Sequence, residues 1–294
     1  MKPTIGIGIS TRDRWGDLEI TLLRLESFGM DWCKTVLVID DGSQQPVSDG
    51  MRERFPRVIF ERSPEPRGYI VQRNQLARVL PTDLYLSLDD DSFPEVGDIA
   101  LAAEWLIKAP TVAALCFSII PGGDGSAENY SFAPNPAPIR FYIGCAHLVK
   151  RELFLQLGGY REELEHYTEE QQFSLVAMRH GLAIYHYPDV IVRHLRSPAG
   201  RTPKRAHRLL TRNDVYCAMM YYPFLYLTLS IANCLPRQFR NPAHRPYLKS
   251  VTKGFLEALL TAPRVWKYRA PLSIAQMHEW RSYPHPWSVV KPRG

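Results

Sequence analysis

Five apolar runs recur through the first half of the chain: TIGIGIS (4–10), TVLVID (35–40), RVIF (57–60), LYLSL (84–88) and VAALCFSII (112–120). Amphipathic stretches separate them. Between the first two, Leu18, Leu22 and Leu25 fall at i, i+4 and i+7, which puts them on one face of a helix. Near-continuous apolar strands alternating with helices predict an α/β fold, a Rossmann-like, mostly parallel sheet covered on both faces. In such a sheet ligands sit outside the carboxyl ends of the strands, where the chain leaves the sheet.

Two acidic clusters fall at that edge. Asp40 and Asp41 follow the second run, and Asp89, Asp90 and Asp91 follow the fourth within YLSLDDDSFP. Adjacent carboxylates repel unless a cation sits among them, and oxygen-rich clusters select hard divalent ions such as Mg²⁺ and Mn²⁺. A metal bridging to a substrate diphosphate accounts for the charge; a solvated acidic turn is the competing explanation.

At 45% hydrophobic residues over 294 positions the chain is globular. Its five cysteines are odd in number and form no CxxC pair, which suits a reducing compartment, and MKPTIGIGIS does not resemble a signal peptide. A cytoplasmic protein is the expectation. The charge is divided: residues 1–192 carry 18 Lys and Arg against 27 Asp and Glu, whereas residues 193–294 carry 18 against 3. Such a basic third points to an anionic partner: phosphate, nucleic acid or a membrane surface. Within it, Val215 to Leu235 is apolar and aromatic but divided by Pro223, with Arg237, Arg240 and Arg245 following. It is too short and tyrosine-rich to span a bilayer, and reads either as a buried helical hairpin or as an interfacial segment on anionic lipid.

The segments VLVIDDGSQQP, GYIVQRNQLA, LSLDDDSFP, GGYREELEHYTEEQQFSLVAMRHG and PDVIVRH resemble, in order and spacing, family 2 glycosyltransferases of the GT-A fold. The resemblance covers about residues 4–196, and RLLTRNDVYCAMMYYP is similar to the tail of bacterial rhamnosyltransferase-like members. It implies a GT-A nucleotide-sugar-binding and catalytic domain over 1–200 and a basic, mainly helical extension over 201–294. The implied reaction is a metal-dependent, inverting transfer from a nucleotide-diphosphate sugar, UDP- or dTDP-linked, to an acceptor hydroxyl. Mn²⁺ or Mg²⁺ would be the cofactor. The acceptor would be a glycan, a lipid-linked molecule or a small molecule, in cell-surface glycan or natural-product glycoside synthesis. Peripheral contact at the inner face of the membrane is compatible with the basic third.

By the same resemblance Asp91 is the direct metal ligand, Asp89 completes a D-x-D pair, Asp90 contacts ribose or metal, and His194 supplies a third ligand. Asp41 would accept the hydrogen bond from a uracil or thymine N3–H, with Asp40 the second choice. Thr11 lies where the family wraps the base, although the aromatic residue often found there is missing. Arg73 would approach the diphosphate. The pair Glu169–Glu170 matches the family's acidic pair, whose second member is the base; Glu170 therefore takes that role, with Glu169 as the alternate. Two departures stand out: Glu170 replaces the usual Asp, and Gln172 stands at a position that is often acidic. Thr168 could also be an ordinary helix N-cap. Two other functions compete. A sugar-nucleotide nucleotidyltransferase would open with a lysine-bearing phosphate loop, which GISTRDRWGD lacks. A nucleic-acid-binding protein would use the basic tail but leave the acidic clusters without a purpose.

Overall fold

A computed structural model of the chain describes residues 2–123, 125–197 and 202–292. The first half alternates β1 (Ile5–Thr11), α1 (Trp15–Phe28), β2 (Cys33–Asp40), α2 (Asp49–Arg54), β3 (Val58–Arg62), α3 (Tyr69–Val79) and β4 (Leu84–Asp89). There follow β5 (Ser92–Val96), α4 (Ile99–Lys108), β6 (Val112–Pro121), β7 (Tyr130–Phe132), β8 (Ala137–Ile139), β9 (Ala146–Lys150), α5 (Arg151–Gln156), α6 (Glu169–Arg179) and β10 (Ala183–His194). The remainder holds α7 (Pro203–Tyr221), α8 (Phe224–Arg240), α9 (Leu248–Leu260), α10 (Pro263–Trp266), α11 (Ile274–Ser282) and the short β11 (Val290–Pro292).

All five apolar runs are strands of one sheet, ordered β3-β2-β1-β4-β9-β6-β10-β5, with β8 also on β10. β1 pairs in parallel with β2 and with β4, so Ile7 lies opposite both Val36 and Leu86. β9 runs against its neighbours β4 and β6, while β5 and β8 run against β10. The other six strands share one direction, so the sheet is mixed but mostly parallel.

The two-residue period of the strands divides the core. In β2, Val36 and Val38 join α1 and α4 on one face, with Leu18, Leu22, Leu25, Ala102 and Leu106. Leu37 and Ile39 face the other way, into a cluster that includes Phe154 and Phe173 and continues into Val215, Tyr221, Ala258, Met277 and Trp280. The C-terminal helices thus complete the second face of the sheet. The boundary expected at 200/201 lies outside the described residues. Of the apolar stretch 215–235, Val215 to Tyr221 is buried in α7; the helix stops at Tyr222–Pro223, and α8 turns Leu227 and Cys234 inward but Phe224, Leu225 and Leu229 outward. Among the described residues, no helix is long and apolar enough to cross a membrane.

Candidate active site

The carboxyl ends of β1, β2 and β4 open on a cleft of about 720 Å³, closed on its far side by the starts of α6 and α7 and the end of β10. Register brings its distant parts together. His194, the last residue of β10, pairs with Ser92 of β5, so the imidazole arrives beside the acidic turn that immediately precedes β5. The N–H of Leu195 then donates to the Asp91 carbonyl at 2.9 Å.

Asp89, Asp91 and His194 form a group whose ligand atoms lie within 4.8 Å of one another. Each carboxylate is oriented by its outer oxygen. Asp89 Oδ1 accepts from Tyr69 Oη at 2.9 Å and from Arg73 Nη2 at 2.6 Å, and its Oδ2 lies 3.9 Å from His194 Nε2. Asp91 Oδ2 accepts from Arg14 Nη2 at 2.8 Å and from the Ser197 N–H at 2.9 Å, and its Oδ1 lies 3.2 Å from His194 Nε2. Burial alone would raise Asp91, but His194 and Arg14 outweigh it and hold the carboxyl well below its ordinary range. Two carboxylates, each fixed by further donors, and an imidazole make a donor set that fits a hard divalent ion able to take one nitrogen ligand, such as Mn²⁺.

Asp90 has a different environment. It accepts from Thr11 Oγ1 at 2.8 Å, faces Arg14 Nη1 at 3.1 Å and is only 4% exposed; burial pushes it up to about 7. Thr11 thus touches Asp90 as well as lining the cleft. Asp41 also lines the cleft, but its carboxylate already accepts from the N–H groups of Arg67 (2.7 Å) and Gly68 (2.9 Å) and from Gln72 Nε2 (2.6 Å), which fixes the start of α3. Asp40 points elsewhere: it is buried beneath the turn, accepting from the Ser43 N–H at 2.8 Å with Arg62 Nε at 3.5 Å.

Arg73 departs from expectation. Its guanidinium is 1% exposed, packed 4.1 Å over the Tyr69 ring and paired to Asp89, so it lies under the cleft floor rather than facing a diphosphate. Among the described residues, the basic side chains that do line the cleft are Arg12, Arg14 and Arg205, with the imidazoles of His166 and His194 beside them.

The acidic pair opens α6 and lines the same cleft. Glu170 lies so close to Gly144 that a Cβ there would fall 2.4 Å from its Oε1. Burial raises the Glu170 pKa, partly offset by a backbone hydrogen bond from Gly144; burial and then repulsion from Glu170 raise Glu169 further. Thr168 does not cap the helix. It is left-handed at φ 72°, and its hydroxyl has no hydrogen bond among the described residues. Glu165 (φ 62°) and Tyr167 (φ 69°) are left-handed too, so three non-glycine residues just before the pair are held in a costly conformation.

What holds that loop comes from α7. Asn213, wholly buried, directs its Nδ2 at the carbonyls of Leu164 (2.9 Å), His166 (2.8 Å) and Tyr167 (2.9 Å). Arg212 adds bonds to the Leu164 carbonyl (2.9 Å) and Glu165 Oε1 (2.5 Å). Gln172 is buried as well: its Oε1 accepts from the Arg161 N–H at 3.0 Å and its Nε2 donates to Tyr221 Oη at 3.2 Å. A neutral amide satisfies both partners; a carboxylate there could not donate. Behind Gly144, its carbonyl accepts from His147 Nδ1 at 3.1 Å, which leaves His147 Nε2 to accept from Tyr160 Oη at 2.9 Å, with Tyr142 Oη 2.7 Å further on. Burial holds His147 well below its ordinary pKa, so this chain is neutral.

A mostly parallel sheet with a D-x-D turn and a histidine at its ligand edge is the arrangement of a GT-A fold. The model of Glycosyl transferase family 2 matches residues 7–161, more than half of the chain, and the protein belongs to that family. That membership favours the glycosyltransferase reading over the nucleotidyltransferase alternative. The match stops short of Glu169, Glu170 and His194, which the fold alone brings to the cleft. Among solved structures, GalNAc-T7 with UDP, GalNAc and Mn²⁺ superposes at a TM-score of 0.65 with 15% identity, over 92% of this chain and 59% of that one. The mannosyltransferase PcManGT from Pyrobaculum calidifontis, with GDP-Man and Mn²⁺, gives 0.55 and 16%, over 96% and 79%. S. aureus TarS 1-349 with UDP-GlcNAc gives 0.59 and 13%, over 95% and 91%. No curated protein matches the chain in sequence.

Proposed function

We propose that the protein transfers a sugar, with inversion, from a UDP- or dTDP-sugar to an acceptor hydroxyl, with Glu170 as the base. One observation carries this reading: a single cleft is lined both by Asp89 and His194 of the candidate metal group and by the Glu169–Glu170 pair. The acceptor oxygen attacks the anomeric carbon, the bond from that carbon to the diphosphate oxygen breaks, the nucleoside diphosphate departs, and the hydroxyl proton passes to the Glu170 carboxylate. A pKa raised by burial makes Glu170 a stronger base than an exposed carboxylate. Asp89, Asp91 and His194 would hold the ion; when bound, a divalent cation there supplies Lewis-acid stabilisation of the leaving diphosphate. Arg12, Arg14 and Arg205 add positive potential around the same position. Asp41 and Thr11 take the base side, supported by their place just beyond β2 and at the last residue of β1. The Mn²⁺ and UDP or GDP ligands of the structural neighbours support a nucleotide-sugar donor with a metal. The basic C-terminal third supports an anionic or membrane-borne acceptor.

The test is a thermal-shift screen of UDP, dTDP and GDP, and of the corresponding nucleoside triphosphates, with Mn²⁺ or Mg²⁺, because a ligand bound only by the folded state raises its stability. Stabilisation by UDP or dTDP that depends on the metal is expected. Stabilisation by nucleoside triphosphates alone would overturn the reading.

A further inference from the structure

The C-terminal helices leave one face uncovered by the described residues. On α9, Lys249, Lys253, Leu256 and Leu260 follow one another at i, i+4, i+7 and i+11, which aligns them along one side of the helix. All four are exposed, Leu260 by 82%, with Leu259 beside them. Arg264, Trp266 and Lys267 continue the exposed strip through α10. Beside the leucines runs an open groove of about 800 Å³, lined by Leu248, Leu256 and Leu260 and edged by Arg208, Lys249 and Lys253. Its one acid, Glu257, is neutralised by Arg208 at 2.6 Å and Arg212 at 2.9 Å. Leucine and tryptophan ringed by lysine and arginine, in a third of the chain carrying 18 basic against 3 acidic residues, complement a surface that is apolar within and anionic outside.

The groove has a fixed relation to the cleft. Arg205 lines the cleft and Arg208 lines the groove, and both sit on α7, about 4.5 Å apart along its axis at 1.5 Å per residue. Gly254 of α9 packs so tightly on α7 that an added Cβ would fall 2.1 Å from the Arg208 carbonyl oxygen. The apolar face therefore cannot drift from the cleft mouth.

We infer that the α9–α10 face docks on an anionic phospholipid bilayer, which delivers a membrane-borne acceptor to the cleft along α7. The delivery half rests on the glycosyltransferase reading; the docking half does not. A surface cation contributes about fivefold to binding of anionic lipid, so losing two costs roughly 30-fold.

The experiment is sedimentation of the full chain with phosphatidylcholine vesicles, with and without phosphatidylglycerol, at low and high salt, alongside thermal shift by UDP with Mn²⁺. The native protein should bind only the phosphatidylglycerol vesicles, and less at high salt. The double variant Lys249→Glu with Lys253→Glu should bind at least 30-fold more weakly, Leu256→Gln with Leu260→Gln should also lose binding, and Lys108→Glu on distant α4 should bind as the native protein does. All variants should keep the UDP shift, so failure of docking and failure of the donor site are read separately. Absence of vesicle binding, equal binding to neutral vesicles, or binding indifferent to both double variants would overturn the proposal. So would size-exclusion showing a dimer that Leu256→Gln with Leu260→Gln dissociates, since the face would then belong to a second copy of the chain.

Discussion

Gly144 and Glu170 touch so closely that the glycine has no room for a side chain: its Cβ would stand 2.4 Å from Glu170 Oε1 and 3.2 Å from Arg73 Nη1. The missing side chain at Gly144 leaves room for Glu170, one methylene longer than the aspartate that the family resemblance implies, at the cleft wall. Gly144→Ala should push the carboxylate away and lower kcat by about 10²-fold, the usual effect of an ångström-scale displacement, while UDP binding by calorimetry stays unchanged.

Glu170→Gln should lower turnover by about 10²- to 10⁴-fold with donor binding intact. Because burial raises the Glu170 pKa, the acid limb of the native pH–rate profile should lie above the ordinary carboxylate value of 4.5, and the glutamine variant should lose that limb. Glu169→Gln as the inactive variant instead would move the base one residue earlier.

Glu169 makes a separate statement about stability. Its folded pKa is raised above the ordinary 4.5, so the folded protein holds this proton to higher pH than the unfolded chain does. Its contribution is therefore fully present below 4.5 and lost as pH rises through the raised pKa. Glu169→Gln should raise the melting temperature in neutral and alkaline buffer and leave it nearly unchanged in acid.

Asn213→Ala removes the donor shared by three carbonyls of the strained loop and should cost about 3 kcal/mol in urea unfolding. It should also lower kcat more than it raises KM, since the loop places Glu169 and Glu170. Asn213→Asp, which keeps the shape but not the donor, should behave no better.

Much of this was legible in the sequence because it is written in short-range pattern. The five apolar runs specify strands, and a strand followed by DDD specifies where the acids emerge. β9 escaped that reading because AHLVK is short and acquires its place only by lying between β4 and β6. Arg14 escaped because nothing local distinguishes it; its partners Asp90 and Asp91 are far along the chain and meet it only when β1 lies beside β4. Arg73 was noticed, but its direction was not readable: a guanidinium near a diphosphate site looks the same in sequence as one buried against Asp89. The Asn213 clamp was invisible for the same reason, since a helix asparagine shows its function only through the loop it reaches.

The candidate metal group has its own signature. An imidazole beside two carboxylates should favour Mn²⁺ over Mg²⁺ in metal-dependent UDP binding. His194→Asp, which makes the set all-oxygen, should narrow or reverse that preference, read as the ratio of UDP affinities with the two ions.

Titration calorimetry of UDP, with and without Mn²⁺, on the native protein and on Asp91→Asn bears most directly on the proposed metal dependence of the cleft. Mn²⁺ should tighten UDP binding to the native protein and have no such effect on Asp91→Asn, with thermal unfolding confirming that the variant is folded. Native UDP affinity indifferent to Mn²⁺, or an undiminished Mn²⁺ effect in Asp91→Asn, would contradict it.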